Sequence, residues 1–170
     1  MLKRFAFILL VPLLIFPFLP GKGSAESWQD ETIYYVMIDR FYNGNTENDN
    51  QVNIDDLNKY QGGDLKGVIS KLDYIKEMGF TAIALNPVIQ NMDGDYTGNS
   101  PLDFMAINEN YGTIDELKEL VKEAHHRDMK VILDFQVNHL GKGHPWLEEK
   151  GKENWFHEER TITETSESNN

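Results

Sequence analysis

Two stretches of this chain carry residue types that could do chemistry. The first is Asp134-Phe135-Gln136-Val137-Asn138-His139, directly after the apolar run Val131-Ile132-Leu133. A short apolar run rich in β-branched residues predicts a strand buried on both faces. A carboxylate, an amide and an imidazole are costly to bury alone. They make sense at the carboxyl end of a parallel strand, where α/β barrels gather their sites. A core strand running into an ordinary polar loop is the plain alternative. The second stretch holds Asn43, Asn45, Glu47, Asn48 and Asp49. Calcium takes roughly six to eight oxygen ligands from carboxylates, amides and carbonyls. An EF-hand is excluded, because its glycine position would fall on Asn48 and its closing glutamate on Ile54. The plain alternative here is an Asn/Gly-rich turn that caps its own backbone.

Other chemistries are poorly supplied. The chain has no cysteine, which excludes a thiolate zinc site and a disulfide framework. No His-Glu-x-x-His occurs, and His125 and His126 sit where a helix end favours cations. No Gly-x-Gly-x-x-Gly follows a predicted strand, so a nucleotide cradle is unsupported. The net charge of -12 over 170 residues argues against nucleic acid or an anionic membrane as partner.

The elements that must position these groups alternate. Ile33 to Ile38 and Thr81 to Leu85 read as strands, and Val131 to Asp134 as a third. Leu65, Val68, Ile69, Leu72, Ile75 and Met78 recur at helical spacing, with Asp64 as N-cap and Gly79 as stop. Thr113 and Glu116 form a capping box before a second helix along Ile114, Leu117, Leu120, Val121 and Ala124. The segments 39–63 and 92–110 read as long polar loops. Strand-helix alternation implies parallel pairing with right-handed crossovers. Both loops follow strands, so they gather on the rim that carries Asn138 and His139, which favours the opening of a barrel.

The ends differ from the middle. Lys3 and Arg4, the apolar run Phe5 to Leu19 and the small residues Gly23-Ser24-Ala25 fit an export signal cleaved after Ala25. Pro12, Pro17 and Pro20 interrupt what would otherwise be a membrane helix. Cleavage would leave a secreted chain with no membrane segment. Lys142 to Asn170 is polar and charged, and Thr163 to Asn170 reads as a tail.

Taken together, the motifs resemble the α-amylase family of glycoside hydrolases. The matching pieces are Asp39-Arg40-Phe41 with Asn43-Gly44-Asn45, Gly62-Gly63-Asp64-Leu65-Lys66-Gly67 and Met78-Gly79-Phe80-Thr81-Ala82-Ile83. They continue in Asp103-Phe104, Tyr111-Gly112-Thr113 and Asp134-Phe135-Gln136-Val137-Asn138-His139. The resemblance implies an α/β fold made of the first three βα units of a (β/α)8 TIM barrel. Residues 1–25 would be the signal, 26–140 the barrel part and 141–170 the start of an inserted domain. It implies a calcium ion held by Asn43, Asn45, Asn48, Asp49, Gly62 (through its carbonyl) and Asp64. Asn138 matches the ligand of a second calcium, His139 a histidine that bonds the sugar, and Asp134 an aspartate that holds the site together.

The implied substrate is an α-1,4-glucan, cleaved with retention by two carboxylates about 5 Å apart. The resemblance puts the reacting carboxylates on later strands. The implied partners of the chain are therefore the missing C-terminal barrel strands, and Asp93, Asp95, Asp103 and Asp134 do not replace those acids. One departure is local. Thr97 and Asn99 stand where the family usually has a histidine and a sugar-stacking tyrosine, leaving Tyr96 or Tyr111 to compensate. The rival readings are a non-catalytic, calcium-stabilised glucan-binding protein and a different secreted barrel enzyme. Trp146 and Trp155 suit either sugar stacking or ordinary packing.

Overall fold

The computed structural model describes residues 27–157. The export signal and the tail expected from the sequence lie outside them. Trp28–Asp30 forms a short 3-10 turn in a first unit, and the described residues from Glu31 onward belong to a second compact unit. No helix among the described residues is long and apolar enough to cross a membrane.

The second unit is built on a parallel sheet. Strand β1 (Ile33–Val36) pairs with β2 (Ala82–Leu85), which pairs with β5 (Lys130–Leu133). Ile33 sits opposite Ala82, and Ala82 opposite Lys130. β1 is shorter than the sequence pattern predicts. The Ile38 N–H leaves the ladder to donate to Asn86 Oδ1 at 2.8 Å, and the chain turns into α1 (Ile38–Phe41). β5 departs further from expectation. It is not buried on both faces: Lys130, Val131 and Ile132 are only half-buried and Leu133 is exposed, whereas all four residues of β2 are buried. The cause is position, since β2 is hydrogen-bonded on both sides and β5 on one.

The helix expected after the first loop is two segments, α2 (Leu65–Ser70) and α3 (Leu72–Glu77). Ser70 Oγ donates back to the Gly67 carbonyl at 2.7 Å, a bond that competes with the helical ladder. Lys71 then leaves helical geometry at φ -111°, ψ 6°. Gly79 ends α3 at φ +92°, as its residue type predicts. The second polar loop is also more ordered than its composition suggests. Its flanks form an antiparallel hairpin, β3 (Ile89–Asn91) with β4 (Pro101–Ile107). Two register shifts in so short a pairing blur the alternation that would have announced it.

Helix α4 (Ile114–His125) packs on α2, and both cover the face of the sheet that holds Val36, Ile83 and Leu85. Leu65, Val68, Leu72, Ile75, Leu120 and Met129 fill the space between. α4 starts on the predicted capping box. Glu116 N donates to Thr113 Oγ1 at 3.2 Å and Thr113 N donates to Glu116 Oε2 at 2.7 Å. Burial alone would raise the Glu116 pKa. The N–H and hydroxyl of Thr113 and the Lys66 ammonium, 3.2 Å away, outweigh it and hold the carboxylate below its ordinary 4.5.

Thr113→Ala should lower the unfolding free energy by about 1 kcal/mol in urea titration, while Thr113→Ser retains most of it. A lowered folded pKa adds stability above the unfolded value, and that stability is lost as pH falls through the folded one. Glu116→Gln should therefore flatten the loss of stability below pH 4.5. An acid limb identical to that of the parent chain would show that this carboxylate is not linked to folding.

Candidate functional site

The site is assembled from the segments that follow β1, β2 and β5. Just past β1, Asp39 is buried and accepts the Gln61 N–H at 2.9 Å and the Gly62 N–H at 3.2 Å. Arg40 Nε lies 2.9 Å from its Oδ2. Burial pushes the Asp39 pKa up, opposed by these N–H groups and by the Arg40 charge. Arg40 also donates to the carbonyls of Leu57 and Lys59, at 2.9 and 3.0 Å, and stacks 3.7 Å over the Tyr96 ring. One ion pair thus joins both ends of the first loop to the second.

The oxygen-rich loop is held open in a particular way. Asn43 Nδ2 donates to both oxygens of Asp49, at 3.0 and 2.9 Å. Asn48 Nδ2 donates to the Asn110 carbonyl at 3.1 Å. The amide oxygens of Asn43, Asn48 and Asn110 are buried and accept no hydrogen bond. Turning the Asn43 or Asn48 amide over would set an oxygen against an oxygen, so these orientations are fixed by their partners. Among the described residues no three His, Asp or Glu side chains gather as a metal cluster. Any cation here must be one that accepts neutral oxygens, as calcium does and zinc rarely does. The buried, unpaired oxygens fit such an ion.

The other residues predicted as ligands have local duties. Asn45 Oδ1 accepts the Glu47 N–H at 3.2 Å, an ordinary turn cap. Asp64 Oδ1 caps α2 by accepting the Gly67 N–H at 2.6 Å, and its Oδ2 accepts from Gly44 N and Asn45 N at 3.1 and 2.7 Å. Gly62 adopts φ +90°, and a Cβ there would lie 2.6 Å from Asn43 Nδ2 and 3.0 Å from Asp49 Oδ1. Asn138 is exposed and lies apart from these contacts, lining a cavity instead.

That cavity, about 720 Å³, is bounded by Phe104, Phe135, His139, Trp146 and Trp155. His139 Nε2 lies 2.8 Å from the Asn99 carbonyl. A carbonyl only accepts, so Nε2 is the donor in this contact. Asp134 is exposed and accepts from the Tyr35 hydroxyl at 3.4 Å. Tyr96 is partly buried with one face under Arg40. Tyr111 does not compensate for the missing stacking ring. It is fully buried, and its hydroxyl donates to the Tyr96 carbonyl at 2.6 Å. Trp146 and Trp155 pack edge to face, 5.8 Å apart, with Lys152 over both rings. Asp95 and Asp103 turn to local donors, Thr97 and Met105.

The sequence reading missed Asn86 and Asn110. Asn86 bridges Ile38 N and the Thr97 carbonyl, at 2.8 and 3.0 Å, fixing two rim segments together. Its only sequence signal is a polar residue closing an apolar strand.

Residues 35–169 match the family model for the α-amylase catalytic domain. The chain is 41% identical over 152 residues to the beta/alpha-amylase of Paenibacillus polymyxa, covering 84% of this chain and 13% of that protein. It is 40% identical over 126 residues to an α-amylase of Saccharomycopsis fibuligera, covering 71% of this chain and 25% of that one. Among solved structures it resembles an Anoxybacillus α-amylase with a TM-score of 0.78 at 56% identity, covering 83% of this chain and 31% of that chain. The α-amylase of Geobacillus thermoleovorans, solved with acarbose, gives 0.75 at 53% identity, over 83% and 30%. The chain therefore spans well under half the length of these proteins.

Gly62→Ala should cost about 1–3 kcal/mol from backbone strain alone, plus displacement of Asn43 and Asp49. Gly79→Ala is the control, since its φ is +92° with nothing within 4 Å of an added Cβ. Urea titration should find Gly62→Ala the more damaging; equal losses would show that the loop does not press on Gly62.

Proposed function

Because this chain belongs to the α-amylase family of glycoside hydrolases, we propose that it supplies the first three βα units of the barrel of an exported enzyme that cleaves α-1,4-linked glucans with retention. The observation that carries the reading is the approach of His139 to the Asn99 carbonyl on a rim shared with Asp134. His139 and Asp134 would bond a sugar hydroxyl at this edge, and Tyr96 would add part of a ring to it. The substrate class is further supported by acarbose bound in the Geobacillus relative.

The chain's own part in the reaction is binding and positioning. Asp134 is held by Tyr35 and sits on the rim as a supporting carboxylate. The nucleophile and the protonated acid, which must stand about 5 Å apart, would come from strands beyond β5. Asn43, Asn45, Asn48, Asp49, Asp64 and the Gly62 carbonyl would hold calcium, and Asn138 would serve a second ion. Calcium would supply the positive charge that the unpaired amide oxygens lack. In a chain with no cysteine it would also do the stapling that disulfides do elsewhere.

The purified chain should release no reducing sugar from starch above the buffer rate, and should bind maltoheptaose weakly, with His139→Ala abolishing the binding. Turnover by the chain alone would overturn the assignment of the reacting acids to later strands. Calcium at a hundredfold excess over its Kd should raise the unfolding free energy by about 2.7 kcal/mol. An unchanged melting temperature after chelation would remove calcium from the reading. N-terminal sequencing of exported material should begin at Glu26, and retention of Met1 would exclude cleavage.

A further inference from the structure

We infer that Asn110 is a further ligand of the loop cation, through its side-chain oxygen, so that the ion ties the turn before α4 to the loop after β1. This rests on the calcium reading above and goes beyond the residues that carried it. Asn110 is 6% exposed, and its Oδ1 is buried without a hydrogen-bond donor. Every other polar group it owns is in use. Its N–H and its Nδ2 both donate to Asn108 Oδ1, at 3.0 and 3.2 Å, and its carbonyl accepts from Asn48 Nδ2. Turning the amide over would set its oxygen against that of Asn108, so the free atom is an oxygen.

The position matters as much as the vacancy. Asn110 touches Asn48 directly. The next residue, Tyr111, accepts the Leu65 N–H at 2.9 Å through its carbonyl, immediately after Asp64. Asn110 therefore sits where the loop of Asn43 to Asp49 meets the turn of Gly62 to Asp64. Asn43, Asn48 and Asn110 share one pattern, with each amide nitrogen bonded to a neighbour and each oxygen left over. Three buried acceptors that no N–H reaches are what a hard cation with oxygen ligands requires. A protein optimising neutral hydrogen bonds would supply them with donors.

The test is calorimetric titration of the full chain with calcium chloride after chelation, with the melting temperature followed at each calcium concentration. Asn110→Ala should weaken calcium binding on the order of tenfold. Asn110→Gln, which keeps the amide but carries its oxygen one methylene further out, should weaken it several-fold. A purely structural asparagine would behave differently: its loss would lower the calcium-free melting temperature and leave the calcium Kd within twofold of the parent. That result, or a glutamine variant binding as tightly as the parent, overturns the inference. If Asn110→Ala does not fold, the glutamine variant decides alone. If the parent chain binds no calcium, the calcium reading itself falls, an outcome distinct from failure of Asn110 within a working site.

Discussion

Asp64 accepts three backbone N–H groups from two parts of the chain, and the rim depends on that arrangement. The carboxylate is almost fully buried. An ionised carboxylate in that position is tolerable only when its oxygens are saturated by donors. Gly67 supplies one from the first turn of α2, and Gly44 and Asn45 supply two from the loop after β1. The loop is thereby fixed to the helix by an interaction that would be expensive to break. Gly44 and Gly67 must both lack a side chain for this approach. A Cβ on Gly44 would lie 2.3 Å from Gly67 N, and one on Gly67 would collide with the Tyr42 carbonyl.

Asp39 repeats the same device at the start of the loop. It is equally buried, and its donors come from Gln61 and Gly62 at the far end of the loop. Two buried carboxylates therefore close a polar segment of more than twenty residues at both ends, without a disulfide. Between them the backbone has little freedom, and the amides of Asn43 and Asn48 can present their oxygens inward. The cost of leaving those oxygens unpaired is about 1–3 kcal/mol each.

The legible parts of this molecule were those whose causes are local. The capping box at Thr113 and Glu116, the cap at Asp64 and the stop at Gly79 all act over three or four residues, and the sequence displays them directly. The three parallel strands were legible because their apolar runs are unbroken. What was hidden depends on distant neighbours. Nothing local says that Ser70 turns back on Gly67, or that β5 is an edge. Tyr111 looks as able to stack on a sugar as Tyr96 until its burial is seen. Asn45 and Asn43 look equivalent in the loop, yet one caps a turn and the other keeps a free oxygen. Asn110 gave no signal at all, because an unpaired acceptor is a property of its surroundings.

The sheet separates two tasks by face. Tyr34, Val36, Ile83 and Leu85 point toward α2 and α4 and belong to the core. The register puts Tyr35 beside Ala84 and Ile132, on the opposite face, which leads to Asp134 at the rim. Small residues in the central strand, Ala82 and Ala84, leave room there for larger groups from the strands beside them. The edge that carries Asp134 therefore grows from the face of the sheet opposite the helices, while the oxygen-rich loop is fastened to the helical side through Asp64. A change that loosens the loop acts first on stability. A change at Asp134 or His139, both exposed, acts first on the rim. The two sets meet only through shared segments, chiefly Asn86 and the Arg40–Tyr96 contact, and that is where an effect on one would be felt by the other.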